Sequence, residues 1–563
     1  MDHRLLFQYL RLKTYTNEEI LAVFDEIVHS KQNEKSKSIS HVDINHEEMT
    51  VKDLQRFFFH RLIDIDREQE QKYSYAKHFQ DDDSTTIFSE DRKAQIEKYA
   101  NQEAHEAMAL LLSNDSIRSD TIEKYEFQRQ ITSLATELDL SRSIPISASM
   151  LLVGSSVGII IPIMPYVVQN LGISTGEFGM VVSSFAFAKL FANVPAAVLV
   201  ERHGRKPYLV YSLLIISCGV GGIGLASQFE HLLICRTLTG IGVSLLSTAA
   251  TLSVADSSTP LNRARTMAPM MSAFAAGTAL GPAVGGILAD KIGINNTFLL
   301  VGGMYLVSTA VNNVFLKETK MIPEIDRKFP WHKNDKVSKK MATNKKKGKN
   351  ETVVNSLQNA VSQWQPLLAK DKVRNVVFMN GFYWVALSGA QMTLLPLFLT
   401  DPDALALSPT SVGEIYMGMS LVQVLGNPIL ARYIDKIGKV PGIVTGCSLL
   451  SASMFTLPFC TEVEQLAMTL GFWSLGSTML STAPTAYISD HVKEDERAQA
   501  IALLRTAGDI GLLVGASSTG AVADIFDMDV AVHSSASLLL LATGWFTGRR
   551  IIDWQQSKQV QNK

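Results

Sequence analysis

The chain has 563 residues, 47% of them hydrophobic and only 19% charged, and its mean hydropathy is +0.12. A formal net charge of -2 supplies no global attraction to nucleic acid, so no nucleic-acid partner is expected. The four cysteines, Cys218, Cys235, Cys447 and Cys460, lie in or beside apolar runs, which argues against a disulfide framework or a zinc site, and no metal or cofactor is expected. The first 145 residues stand apart: they carry 28 Asp/Glu against 19 Lys/Arg and no glycine, the first being Gly154. MDHRLLFQYLRLK offers no apolar stretch long enough for a signal peptide. Amphipathic spacing over 17–29, 50–63 and 90–113 predicts a cytosolic helical region, residues 1–145. VDINHEEMTVKDLQRFF resembles a calcium loop and its exit helix. Counted from Asp43, however, Glu48 falls where the turn needs Gly, and Leu54 where a bidentate Glu is needed. The expected role of this region is therefore interaction or regulation through a cytosolic protein partner.

Crossing the ~30 Å hydrocarbon core takes about 20 mostly apolar residues. Twelve stretches qualify, near 146–169, 178–200, 208–227, 231–255, 264–289, 296–316, 374–399, 411–433, 441–460, 464–488, 498–523 and 530–548. The expected fold class is an all-α polytopic membrane protein with two six-helix halves, 146–316 and 373–548. A basic linker over 317–372 separates the halves, and 549–563 form a tail. VSKKMATNKKKGKN predicts a flexible, exposed connector, and ETVVNSLQNAVSQWQPLLAK an amphipathic helix on the lipid surface. Loops after even-numbered spans are basic (ERHGRKP, PLNRAR, RYIDKIGK, HVKEDERA), whereas those after odd-numbered spans are nearly free of Lys/Arg, Lys291 being the main exception. The bias predicts that both termini are cytoplasmic. Asn295-Asn296-Thr297 is a sequon in an expected non-cytoplasmic loop, and Asn114-Asp115-Ser116 one in the cytosolic region.

An internal repeat closes the second span of each half. Lys189-Leu-Phe-Ala-Asn193 runs on to Glu201-Arg202-His203-Gly204-Arg205, and Gln423-Val-Leu-Gly-Asn427 to Asp435-Lys436-Ile437-Gly438-Lys439. In both copies the acid, Gly and basic residue share one spacing, with an Asn eight residues before the acid. Residues 146–548 thereby resemble a major facilitator superfamily transporter of the twelve-span drug:proton antiporter branch, with features of the vesicular amine transporters. Ala197-x-x-x-Glu201-Arg202-x-Gly204-Arg205-Lys206 is similar to the family's loop between helices 2 and 3, with Ala197 and Glu201 in place of the usual Gly and Asp. Arg236-Thr-Leu-Thr-Gly240-Ile-Gly242 resembles the helix 4 motif, whose Arg the family links to proton coupling. Gly277-x-x-x-Gly281-Pro282-x-x-Gly285-Gly286 matches the antiporter motif of helix 5. The resemblance implies exchange transport and a gating role for the basic loops: Glu201 beside a helix N-terminus, Arg205 with Asp256, and the second copy Asp435, Lys436, Gly438 and Lys439.

Ionisable groups at membrane depth are costly and read as functional: Lys189, Arg236, Arg505 and Asp509. Lys189 lies twelve residues before Glu201, and Asp509 twelve after Arg497. At 1.5 Å per residue both sit roughly 18 Å deep, near the midplane. In the resembled fold their helices face each other, so Lys189 and Asp509 are expected to pair. Arg505, one turn from Asp509, is the rival partner, and an anion-binding Lys189 a further alternative. The vesicular amine transporters resemble this arrangement, but two of their carboxylates have no counterpart here, Leu152 standing in the region of one, which argues against monoamines. Candidate cavity residues are Asn380, Tyr383, Trp384, Gln391 and Ser244. The expected partners are a small organic substrate, protons and the lipid bilayer, in the plasma membrane or an organelle membrane. Exchange is expected; a facilitator or symporter, or a membrane sensor signalling through residues 1–145, is the alternative.

Overall fold

The computed structural model describes residues 3–13, 15–29, 48–74, 90–112, 121–137, 140–320, 329, 362, 364–401, 405–493 and 496–561. The Lys-rich part of the linker, most of the expected amphipathic helix and the Asn114 sequon lie outside them. The chain divides into two compact units. One comprises Met1–Leu140, Val254–Met267 and Thr319–Glu351; the other comprises Ser141–Ser253, Ala268–Glu318 and Thr352–Lys563.

The first unit holds α1 (His3–Tyr9), α2 (Asn17–His29), β1 (Glu48–Thr50), α3 (Val51–Ser74), α4 (Glu90–Leu112), β2 (Thr121–Glu123) and α5 (Lys124–Thr136). Buried apolar side chains recur every three or four residues: Ile20, Phe24 and Ile27 on α2, Leu54, Phe58, Leu62 and Ile65 on α3, Ile96, Ala100, Ala104, Ala107 and Leu111 on α4, and Phe127, Ile131 and Ala135 on α5. That period places one stripe of each helix in a common core. The strands pair antiparallel with Met49 opposite Ile122, and both of these side chains are buried. Asp53, in the first turn of α3, reaches back to cap it: its Oδ2 accepts from the Thr50 amide at 2.9 Å and the Thr50 hydroxyl at 2.7 Å. Between α3 and α4, Arg92 donates to the fully buried Asp66 at 2.7 Å.

The second unit is built from long helices: α6 (Leu140–Asn170), α7 (Thr175–His203), α8 (Lys206–Ile223), α9 (Phe229–Asp256), α10 (Arg263–Ile292) and α11 (Ile294–Phe315), then α12 (371–400), α13 (Pro409–Ile437), α14 (Lys439–Thr456), α15 (Val463–Asp490), α16 (Arg497–Ile525) and α17 (Met528–Gln561). Among the described residues, ten of these are long and apolar enough to cross a membrane. The other two, α13 and α15, have 29 and 28 residues, stand where spans were expected, and are less apolar. Ser, Thr and Asn replace aliphatic side chains along their length.

The repeat is visible in the backbone. Gly204 (φ +111°) ends α7 and Gly438 (φ +97°) ends α13, both in the region that side-chain-bearing residues avoid. In the first copy the carboxylate of Glu318 receives the amides of Arg205 (2.8 Å) and Lys206 (3.2 Å), so it caps the N-terminus of α8. In the second copy Lys439 pairs with Asp490. Replacing Glu318 with Ala should cost about 1 kcal/mol through loss of this cap. A thermal melt of the purified protein checks it, and an unchanged midpoint would contradict it.

Candidate functional site

Lys189 on α7 and Asp509 on α16 meet. Lys189 Nζ donates to Asp509 Oδ1 at 2.7 Å, with side-chain exposures of 33% and 14%. Each charge therefore sits largely out of water beside its opposite, the condition under which a buried pair is tolerated. The other carboxylate oxygen, Oδ2, accepts from Asn193 Nδ2 at 3.4 Å, and Asn193 Oδ1 accepts from Ser244 Oγ on α9 at 2.7 Å. The result is a four-residue relay, Lys189–Asp509–Asn193–Ser244, drawn from three helices. Arg505, the rival partner, is exposed, while the Asp509 carboxylate is engaged by Lys189 and Asn193.

Arg236 of α9 stands over the Phe185 ring of α7, 4.9 Å from its centroid. Its Nε is buried with no hydrogen-bond partner among the described residues. It lines an apolar cavity of about 80 Å3 formed with Val157, Ile161, Val182, Phe185 and Leu512. A guanidinium in so apolar a lining is the group there that an anionic or π-rich solute would meet.

The other expected cavity residues divide. Ser244 joins the Asp509 relay. Trp384 lies against α16, where a Cβ on Gly508 would come within 2.8 Å of its ring. Asn380 donates to the Leu504 carbonyl at 3.0 Å. Tyr383 is buried and makes an edge contact with Trp384. Gln391 sits in the widened π-helical turn Leu387–Leu394 of α12, its side-chain oxygen accepting from Trp473 Nε1 at 3.0 Å. Asn380 and Gln391 thus spend their polar groups on helix packing.

The helix 5 motif lies on α10 at two crossings. A Cβ on Gly277 would come 2.2 Å from the Leu151 carbonyl oxygen, and one on Gly281 2.4 Å from that of Ser155; both oxygens belong to α6. Gly285 faces Ile159, and Gly286 faces the Pro409 carbonyl at the start of α13. Pro282 receives the close approach of Gly413. Small residues thus bring α10 against both α6 and α13, backbone on backbone.

The ends of the helices away from the basic loops are joined across the halves. Asp290 of α10 accepts from the Thr410 hydroxyl and, at 3.2 Å, from its amide in the first turn of α13. Asp524 of α16 accepts from Ser174, the N-cap of α7, at 2.9 Å. Helices α10 and α16 hold equivalent places in the two halves, as do α13 and α7, so the two acids are one latch repeated. Tyr166 donates to the Leu407 carbonyl at 2.6 Å beside them.

In the basic loop, Glu201 is exposed. Arg205 is 8% exposed, and its guanidinium reaches the carbonyls of Val200 (3.5 Å) and Glu201 (3.4 Å) at the end of α7. Arg202 and Lys206 are half-buried. The Asp256 carbonyl accepts from Arg4 at 3.5 Å within the first unit. Sequence reasoning had no role for Asn193, Glu318, Asp290 or Asp524. The repeat alone marked Asn193, by placing an Asn eight residues before each loop acid.

Comparison with known proteins gives the family and the fold. An uncharacterized MFS-type transporter of Methanocaldococcus jannaschii is 26% identical over 380 residues, 66% of this chain and 88% of that protein. The multi-drug resistance efflux pump PmrA of Streptococcus pneumoniae is 27% identical over 171 residues, 30% of this chain; the match spans only 43% of the pump's length. The fold is that of a bacterial homolog to the human lysosomal transporter Spinster in an inward-facing and occupied conformation (TM-score 0.58, 13% identity, 72% of this chain and 95% of that one). The family model of the Major Facilitator Superfamily matches residues 146–403 and 376–561. With its helices, repeat and family match in agreement, the chain belongs to the Major Facilitator Superfamily.

Proposed function

We propose that this membrane transporter exchanges protons for a small organic molecule by alternating access, through twelve membrane helices with both termini on the cytoplasmic side. The observation that carries the reading is the Lys189–Asp509 pair with its Asn193–Ser244 extension. An acid whose counter-charge, Lys189, sits on the opposite half can exchange that partner for a proton or a cationic substrate. Protons arriving from the side away from the basic loops load Asp509 as substrate leaves. Proton release to the other side restores the ion pair and resets the transporter. Only a ligand with different affinities for the two facing states can drive this cycle. The helix 5 motif, complete in this chain, supports exchange over symport, and PmrA is by its name an efflux pump. Arg236 and the apolar cavity beside it are the proposed substrate contact.

The paired latches hold the end remote from the basic loops closed in this account. Removing both acids (Asp290→Ala with Asp524→Ala) deletes two N-terminal helix contacts worth about 0.5–1 kcal/mol each when exposed. Together they should raise the population open on that side roughly 5- to 30-fold. The labelling rate of a cysteine placed at Val182, which lines the cavity, by an impermeant maleimide from that side reads the shift. Unchanged labelling would contradict it.

The test of transport itself is counterflow. Liposomes carrying the protein are preloaded with each member of a panel of organic cations, anions and neutral metabolites, and uptake of the labelled compound from outside is followed. Transient accumulation of at least one compound is expected. Specific binding without accumulation would overturn the transporter reading in favour of a sensor.

A further inference from the structure

The first unit has an architecture that the transport reading leaves unused. Two helix pairs, α2 with α3 and α4 with α5, each carry a three-residue strand just before the second helix, and the strands pair with each other. That is the build of a paired EF-hand lobe, a form that commonly grips a peptide through apolar anchors. Here the chain itself supplies the apolar anchors. Leu6, Phe7, Tyr9 and Leu10 of the α1 segment are buried in the core of the lobe, Tyr9 against Phe58 at 5.2 Å between ring centroids. Phe329, from the connector that follows α11, is 4% exposed in the same core, edge-on to Tyr99 at 6.1 Å.

Buried polar contacts fix a second segment. Residues 254–267 contain the loop between α9 and α10. The Thr259 hydroxyl donates to the Ala135 carbonyl at 2.6 Å, and Asn262 Nδ2 to the Glu137 carbonyl at 2.7 Å, just at the end of α5. Thr259 and Asn262 are 6% and 3% exposed. Arg4 of α1 spans the two segments, its Nη1 reaching the carbonyls of Asp256 (3.5 Å) and Thr319 (3.4 Å). Satisfied, buried hydrogen bonds of this kind define one arrangement, which loose tethering would not.

We infer that the lobe is a peptide-binding clamp whose ligand is this chain's own connector, with Phe329 as the anchor, and that it ties the connector to the α9–α10 loop. Residues 254–256 end α9 and residues 263–267 begin α10, so the lobe holds these two helix ends together. The clamp goes beyond the transport reading and does not depend on it.

Hydrogen exchange on the full-length protein tests it. Phe329→Asp should speed amide exchange at least tenfold in α3 and α4 and also in 254–267, with α7 and α16 unchanged; Phe329→Leu should behave as wild type. Asn262→Ala should speed exchange in 254–267 and at the end of α5. A lobe as protected in Phe329→Asp as in wild type would overturn the anchor. Faster exchange in the lobe with 254–267 unaffected would overturn the tie between the segments. If Phe329→Asp loosens the whole chain, the pair Tyr99→Cys with Phe329→Cys decides. A short bis-maleimide cross-linker, which reaches across side-chain spacings that a disulfide cannot, should then join the two peptides in nearly all molecules, and failure to join them would overturn docking.

Discussion

Gly277→Ala should lower the apparent melting midpoint by several degrees, whereas Gly303→Ala should leave it unchanged or raise it slightly. The two substitutions add the same single carbon. At Gly277 it would lie 2.2 Å from the Leu151 carbonyl oxygen and 2.7 Å from the Ser155 amide nitrogen. Both are backbone atoms of α6, which no rotamer change can move aside, so α6 and α10 must separate. Such overpacking costs about 1–3 kcal/mol. The new Cβ at Gly303 meets nothing within 4 Å. There the helix gains the propensity difference between Ala and Gly, about 0.5–1 kcal/mol. The helix 5 motif also predicts a functional split. Gly286→Ala, directed at Pro409, should impair closure between α10 and α13 more than it lowers stability, because that crossing joins the two halves. Equal melting behaviour for Gly277→Ala and Gly303→Ala would remove the packing explanation.

The second large effect concerns the ion pair. Removing one partner of a buried pair leaves an uncompensated charge, at a cost of about 3–5 kcal/mol when burial is complete. Lys189 keeps a third of its side-chain exposure, so about 1–3 kcal/mol is expected for Asp509→Asn. Lys189→Met should cost a similar amount. The double variant, with neither charge, should recover most of it, giving a coupling energy of about 1–3 kcal/mol in a thermodynamic cycle. Chemical-denaturation or thermal-shift measurements on the four proteins supply the cycle. Strict additivity would mean that the two groups do not sense each other.

Much of the membrane region was legible from the sequence because the bilayer imposes a strict rule: apolar stretches must be long, and charges within them rare. The expected depths of Lys189 and Asp509 rest on counting to the nearest basic loop, and their expected pairing on the resemblance; the contact between them is present in the structure. Helix rotation was not legible. Asn380, Tyr383 and Gln391 sit at plausible depths, but which face each presents depends on packing, and α12 changes pitch through its π-helical turn. The repeat marked Asn193 without giving it a role; only the carboxylate beside it does that. Glu318 and the two latch acids act across helices distant in sequence, where no local pattern exists. In the first unit the periodic helices α2, α3 and α4 were legible. The strand pair was not, since three residues are too few to show alternation. The pairing joins segments 73 positions apart, Met49 with Ile122.

Proton movement tests the central claim most directly. The protein is reconstituted in liposomes with a pH-sensitive dye inside, a pH gradient is imposed, and a compound active in counterflow is added. The wild type should dissipate the gradient on addition of the compound. Asp509→Asn should not, although it still binds the compound. Gradient dissipation by Asp509→Asn at the wild-type rate would contradict proton exchange through Asp509.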